Sequence, residues 1–257
     1  FDLFLDGTAE WSGPDELPAN DQGASVLVIE DGKGAKFRRA TMSRPQDNRQ
    51  RVRQKVVLSR NGDATVEHSL QLEGVAAAGW RIRLQSPDER EEELTKVISA
   101  QFPRTEVRSA RFPGIGEVLD PVRVEARLAV PGWGRAQGEV LRFPVLGRET
   151  SVRARLAPQA DRRYDLVLSS PSLEDHEVRY ELPRGMHFSK VPGDKQVETE
   201  HGSFTLKVET KGRTATVHSE FELRTDRVSP SEYRAFREFL RQVDAGLAQS
   251  FEAVEDR

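Results

Sequence analysis

Val122-Arg123-Val124-Glu125-Ala126-Arg127-Leu128-Ala129-Val130 puts an apolar side chain at every second position, with charged residues at 123, 125 and 127. A strand turns successive side chains to opposite faces, so this spacing describes one face against a core and one in water. The phase recurs in Ala64, Val66, Leu70 and Leu72, and again in Val178, Tyr180 and Leu182. It returns in Phe204, Leu206 and Val208, in Ala215, Val217, Phe221 and Leu223, and in the shorter set Tyr164, Leu166 and Leu168. Asn61-Gly62 and Lys211-Gly212 each separate two runs, as the short Gly-containing link of a hairpin does. The expected fold is mainly β, antiparallel and sandwich-like.

Two amphipathic helices interrupt the strands. Ser86-Pro87-Asp88-Glu89 and Ser229-Pro230-Ser231-Glu232 share a Ser N-cap, a Pro at the first helical position and a Glu three residues past the cap. The first helix is expected over 87–101, burying Leu94, Val97 and Ile98. The second is expected over 230–251, where Tyr233, Phe236, Leu240, Val243, Leu247, Phe251 and Val254 keep a 3–4 spacing and Arg237 points outward. A shorter helical turn around 75–84 carries Trp80 as a packing anchor. Loop-rich stretches at 43–49 and 158–163 divide the chain into a tail segment, 1–45, and two packed units, 46–160 and 161–257.

Charged residues make up 32% of the 257, and no apolar run approaches the length of a membrane span. The first residue is Phe, inside an apolar stretch, so targeting information is expected upstream. The formal charge of −3 conceals a local +9 between Lys33 and Arg60, where ten Lys and Arg face one acid, Asp47. Such a segment can attract an anionic or protein partner. Yet Arg51, Arg53 and Lys55 alternate with Val52, Gln54 and Val56, as on the wet face of a strand. Phe37 is the one aromatic among these cations, so a nucleic-acid platform is not expected.

The sequence contains no cysteine, which removes a thiolate nucleophile, a disulfide framework and a thiolate metal site together. Five histidines, His68, His176, His187, His201 and His218, show no metal-binding spacing, and no metal or cofactor is expected. His68 shares a face with Val66 and Leu70 and reads as a core histidine, whereas His218 lies with Thr216 and Glu220 on a polar face. Gly114-x-Gly116 lacks the strand, helix and third glycine of a dinucleotide loop. Trp133, in the turn Pro131-Gly132-Trp133-Gly134, is the aromatic expected to be exposed.

The run Leu3-Phe4-Leu5-Asp6-Gly7-Thr8, with Gly13, Glu16-Leu17-Pro18 and Asp21-Gln22-Gly23-Ala24 after it, resembles the closing segment of bacterial transglutaminase-like domains. Leu182-Pro183-Arg184-Gly185-Met186 and the stretch from Ser229 to Phe236 are similar to the C-terminal β domain and closing helix of those multidomain, often exported proteins. The resemblance implies a papain-like core upstream and a periplasmic or exported location. It also implies that Asp6 corresponds to the carboxylate that orients a catalytic histidine; Gly7 stands where proline is commoner. Read without the resemblance, Asp6 is a turn or cap carboxylate beside Gly7-Thr8. A triad carboxylate only orients the base, so a chain holding Asp6 without the thiol is expected to be non-catalytic, an accessory module beside its core. The competing reading is a freestanding surface or periplasmic module that binds protein, peptide or glycan.

Overall fold

The computed structural model of the chain describes residues 4–13, 16–30, 32, 34–146 and 151–256, so Leu3 and Lys33 of the segments above lie outside the described residues. The hairpin β1 (Ser25–Glu30) and β2 (Gly34–Arg39) precedes β3 (Arg49–Leu58) and β4 (Ala64–Leu72). Helices α1 (Val75–Arg83) and α2 (Arg90–Gln101) follow, then β5 (Glu106–Arg111), β6 (Val122–Val130), β7 (Arg135–Gln137) and β8 (Val140–Pro144). After α3 (Val152–Leu156) come β9 (Leu166–Val167), β10 (Ser172–Glu181), β11 (Met186–Lys190) and β12 (Lys195–Thr199). The chain ends through β13 (Gly202–Lys211), β14 (Thr214–Leu223), β15 (Arg227–Val228), α4 (Tyr233–Leu247) and β16 (Ser250–Glu255).

The expected β architecture is present, organised on an open eight-stranded sheet of order β12-β13-β14-β10-β3-β4-β6-β5. Val122, Val124, Ala126, Leu128 and Val130 are all buried, as their alternation requires. Both hairpin links are where the sequence puts them, between β3 and β4 and between β13 and β14. Gly62 does more than turn: its φ is +90°, and a Cβ there would stand 2.3 Å from the Gly134 carbonyl oxygen. Every pairing in the sheet is antiparallel except β3 with β10, which run parallel from Arg49 opposite Leu173 to Val57 opposite Glu181. Through that pair, strands from 46–160 and from 161–257 share one sheet, and their buried residues form one continuous core.

A second, four-stranded sheet of order β11-β16-β8-β7 packs on the large one through aromatic rings. Phe143 stacks on Phe251 at 5.0 Å and meets Tyr180 of β10 at 5.0 Å. The Tyr180 hydroxyl donates to the Pro144 carbonyl at 3.1 Å, pinning one sheet to the other. Helices cover the rest of that face. Leu94 and Ile98 of α2 are buried as expected, although the turn at Pro87–Glu89 is 3-10 and Ser86 caps no amide.

The closing helix is shorter than the apolar spacing predicts. It stops at Leu247, and Phe251 lies instead on β16, where it faces Phe143 of β8. Phe251 and Ala253 are fully buried, a period-two pattern that antiparallel pairing to β8 and β11 selects over a sixth helical turn. The helix also buries Phe239, outside the expected stripe, stacked on Phe221 at 6.0 Å. No helix among the described residues is long and apolar enough to cross a membrane.

Candidate functional site

Asp6 forms a local turn. Its Oδ1 accepts the Thr8 amide at 2.9 Å and the Thr8 hydroxyl at 2.7 Å. These two bonds, the amide first, hold its carboxyl below the usual carboxylate range, with Asp21 contributing. Among the described residues Asp6 therefore engages Thr8 and Asp21, and no histidine.

Four cations of the basic segment, Arg49, Arg51, Arg53 and Lys55, lie on the wet face of the large sheet, whereas Lys36, Arg38 and Arg39 lie on the separate β1–β2 hairpin. Arg49 and Arg51 both reach Asp175 of β10, at 2.9 and 3.2 Å, and Arg53 pairs with Glu177 at 3.6 Å. Arg44 pairs with Asp47, and Arg60 with Glu255. Asp175, Glu177 and Glu255 are thus carboxylates from distant strands that the local count of charge does not include. Trp133 is not exposed: it stacks on Phe102 at 4.8 Å and meets Tyr180 edge-on at 6.4 Å. Its turn folds inward over the core. Tyr164, by contrast, is 74% exposed and joins no strand.

The helix-covered face of the large sheet carries an unexpected polar band. Gln50 and Gln54 share that face of β3 with Val52 and Val56; His68 shares it with Val66 on β4, and His176 with Val178 on β10. Gln54 lies opposite His68, while His176 lies between Val52 and Ser219. The Gln54 amide nitrogen is 3.1 Å from His68 Nδ1. Nδ1 is then the acceptor, and the ring proton sits on Nε2. Neither ring nitrogen of His176 has a hydrogen-bond partner among the described residues.

These side chains line a cavity of about 480 Å³. The helices α1 and α2, with Phe102 directly after α2, give it an apolar wall of Trp80, Leu94, Val97 and Ile98, and Val152 and Leu247 also line it. At the rim Arg155 of α3 donates to Glu174 at 2.8 Å. The α3 end is fixed by Asp244 of α4, which accepts the Ser151 hydroxyl at 2.8 Å and the Val152 amide at 2.7 Å. Burial pushes His68 down to about 4, with His176 adding to the effect, and burial lowers His176 as well. Both rings are neutral near pH 7 and offer a donor and an acceptor each.

His68 thus sits on the core face, as its phase with Val66 and Leu70 implies. His176 was equally legible, being in phase with Val178 and Tyr180, but the acidic neighbours Glu174, Asp175 and Glu177 mask that phase. The remaining histidines are apart: His187 on Asp256 at 2.8 Å, His201 edge-on to Phe236 at 5.4 Å, and His218 on the wet face, 3.9 Å from Glu177. Among the described residues no three His, Asp or Glu side chains gather as a metal site.

Residues 140–252, from β8 into β16, match a family described as a domain of unknown function with solved structure, DUF3858. No curated protein matches the chain. Among solved structures, one named "putative protease" from Parabacteroides distasonis ATCC 8503 is 16% identical, with a TM-score of 0.39. That likeness covers 46% of this chain and 24% of the other, so the chain spans about a quarter of that protein's length.

Proposed function

We propose that residues 1–45 complete a transglutaminase-like core supplied by the same polypeptide upstream, and that the remainder is a non-catalytic β module that scaffolds it. One observation carries this reading. The β1–β2 hairpin forms its own two-stranded sheet and turns Leu27, Ile29 and Phe37 to one side, 53%, 77% and 80% exposed. Leu27 lies directly opposite Phe37, so the three make a contiguous apolar strip. A two-stranded hairpin is marginal in water, and a strip of this kind marks a surface that another element covers. The hairpin lies in the same 1–45 segment as Asp6, whose motif resembles the closing part of such a core.

The chemistry agrees with that division. Bond-making in a cysteine triad belongs to the thiolate and the imidazole, and this sequence has no thiol. The carboxylate of Asp6 would orient a histidine brought by the core, exchanging its Thr8 bonds for the imidazole N–H. The test is hydroxyl-radical footprinting of the chain alone and joined to the polypeptide encoded upstream. Leu27, Ile29 and Phe37 are expected to lose reactivity in the joined protein, and Asp6→Ala to lower its turnover. Equal labelling of the three residues in both forms would reject the reading.

A further inference from the structure

We propose that the cavity between the polar band and helix α2 is a binding site for a small uncharged amphiphile, with an amide- or urea-type head and an apolar body of about one ring. The position is the first argument. Central strands of a covered sheet face normally bury apolar side chains, because an unpaired polar group there loses its water without gaining a partner. Here Gln50, Gln54, His68 and His176 occupy four such positions on three adjacent strands, none of them fully buried. All four line the cavity.

The hydrogen-bond inventory sets the head group. Gln54 spends one amide hydrogen on His68, which leaves His68 Nε2–H as a donor and the Gln54 carbonyl oxygen as an acceptor. His176 adds a second donor and acceptor with no protein partner among the described residues. A carboxamide or urea presents the complementary set, an acceptor oxygen beside N–H donors. Charge argues the same way. The rim cation Arg155 is already matched by Glu174, so among the described residues the lining offers no free counter-charge to an ion. The lowered affinity of both imidazoles for protons supports a neutral floor.

The apolar wall sets the body. Trp80, Val97 and Phe102 contribute to it, and about 480 Å³ falls within the size range of small-molecule pockets. Ordered water is the competing occupant, since a polar cavity of this size can hold several molecules.

The experiment titrates the chain, labelled in its histidine rings, with phenylacetamide, phenylacetate and phenethylamine, and follows the imidazole signals by NMR. Phenylacetamide is expected to shift His68 and His176 saturably, leaving His187 and His218 in place. The two charged isosteres should bind about ten-fold more weakly or worse, because each buries an unmatched charge. Val97→Phe fills the cavity from the helix side without touching the polar band, and should abolish the shifts while the chain stays folded. Gln54→Leu should weaken binding by removing the acceptor. No saturable shift with phenylacetamide, equal response to all three probes, or binding that survives Val97→Phe would each overturn the proposal.

Discussion

Asn48 is wedged against Gly74 where β3, β10 and α1 begin. Its Oδ1 accepts the Val75 amide at 3.1 Å, and its Nδ2 donates to the Pro171 carbonyl at 2.8 Å. A Cβ on Gly74, whose φ is +64°, would stand 2.3 Å from that Oδ1 and 2.4 Å from the Asp47 carbonyl oxygen. The parallel pair has no hairpin to set its register, so this buried side chain and the Leu173 amide on the Asn48 carbonyl, at 3.2 Å, mark where it starts. Asn48→Ala leaves a buried carbonyl and amide without their partner and should cost about 2–3 kcal/mol. Gly74→Ala should cost at least about 2 kcal/mol through backbone strain and the clash. Urea unfolding of both variants checks this, and an unchanged midpoint for Asn48→Ala would remove it from that role.

Arg81 ties the N-terminal segment to the body. It is 1% exposed, and its guanidinium donates to the carbonyls of Trp11 at 3.3 Å, Glu117 at 3.0 Å and Asp120. Arg81→Met keeps the stem and removes these charge-assisted bonds, so stability should fall by about 2–3 kcal/mol. Hydrogen exchange should quicken in 9–13 and 114–120 more than in β3 or β10. Uniform acceleration everywhere would show that the residue acts on global stability rather than on the tether.

Acid should weaken the fold before its carboxylates are protonated. An unfolded His68 takes up a proton near 6.5, whereas the folded one resists until about 4. Between those values the unfolded state binds more protons, so the contribution is fully present above about 6.5 and is lost as pH falls toward 4. At the acid end the difference approaches about 3 kcal/mol, and His176 acts in the same direction. Asp47 and Asp175, held below the usual range by arginine partners, act only at lower pH. Unfolding free energy measured from pH 7 to pH 4 should slope downward in the native chain and flatten in His68→Gln. An equal slope in both would assign the acid sensitivity elsewhere.

Where burial is decided along one strand, the sequence was readable. The phase of Val122 through Val130, or of Ala215 through Leu223, needs only alternation. Where it is decided between distant segments, it was not. Nothing near Arg49 announces a parallel partner at Leu173, because the information lies in the fit of two faces far apart in the chain. Phe251 satisfies both a helical 3–4 spacing and alternation with Ala253, and its pairing with Phe143 decides between them. Trp133 sits among turn residues that predict exposure, yet the turn lies over Phe102. Of the cavity, His68 was legible by phase, but its companions on β3 and β10 came together only through the parallel pair.

The closing helix offers a graded test. Phe236 of α4 is fully buried against His201, and Phe236→Ala should cost about 3–5 kcal/mol. The helix begins at Tyr233 rather than at Pro230 and has no side-chain cap; the expected Ser229–Glu232 pair instead closes the turn before it, the Ser229 amide donating to Glu232 Oε2 at 3.2 Å and the Ser229 hydroxyl oxygen accepting the Glu232 amide at 3.4 Å. The Ser229 hydroxyl, which donates to Glu232 Oε2 at 2.6 Å, and after it the Ser229 amide hold the Glu232 carboxyl below its ordinary range; losing the hydroxyl in Ser229→Ala should cost about 1 kcal/mol. Arg237 is not the neutral outward residue the spacing implies, because its guanidinium donates to the Ala157 carbonyl at 3.3 Å and the Ala160 carbonyl at 3.2 Å. Arg237→Ala should therefore cost about 1–2 kcal/mol, while the exposed Arg234→Ala stays within about 0.5 kcal/mol. The order expected from urea unfolding puts Phe236 first, Ser229 and Arg237 together behind it, and Arg234 last. A Phe236→Ala midpoint no lower than that of Arg234→Ala would mean that α4 does not depend on docking against the sheet.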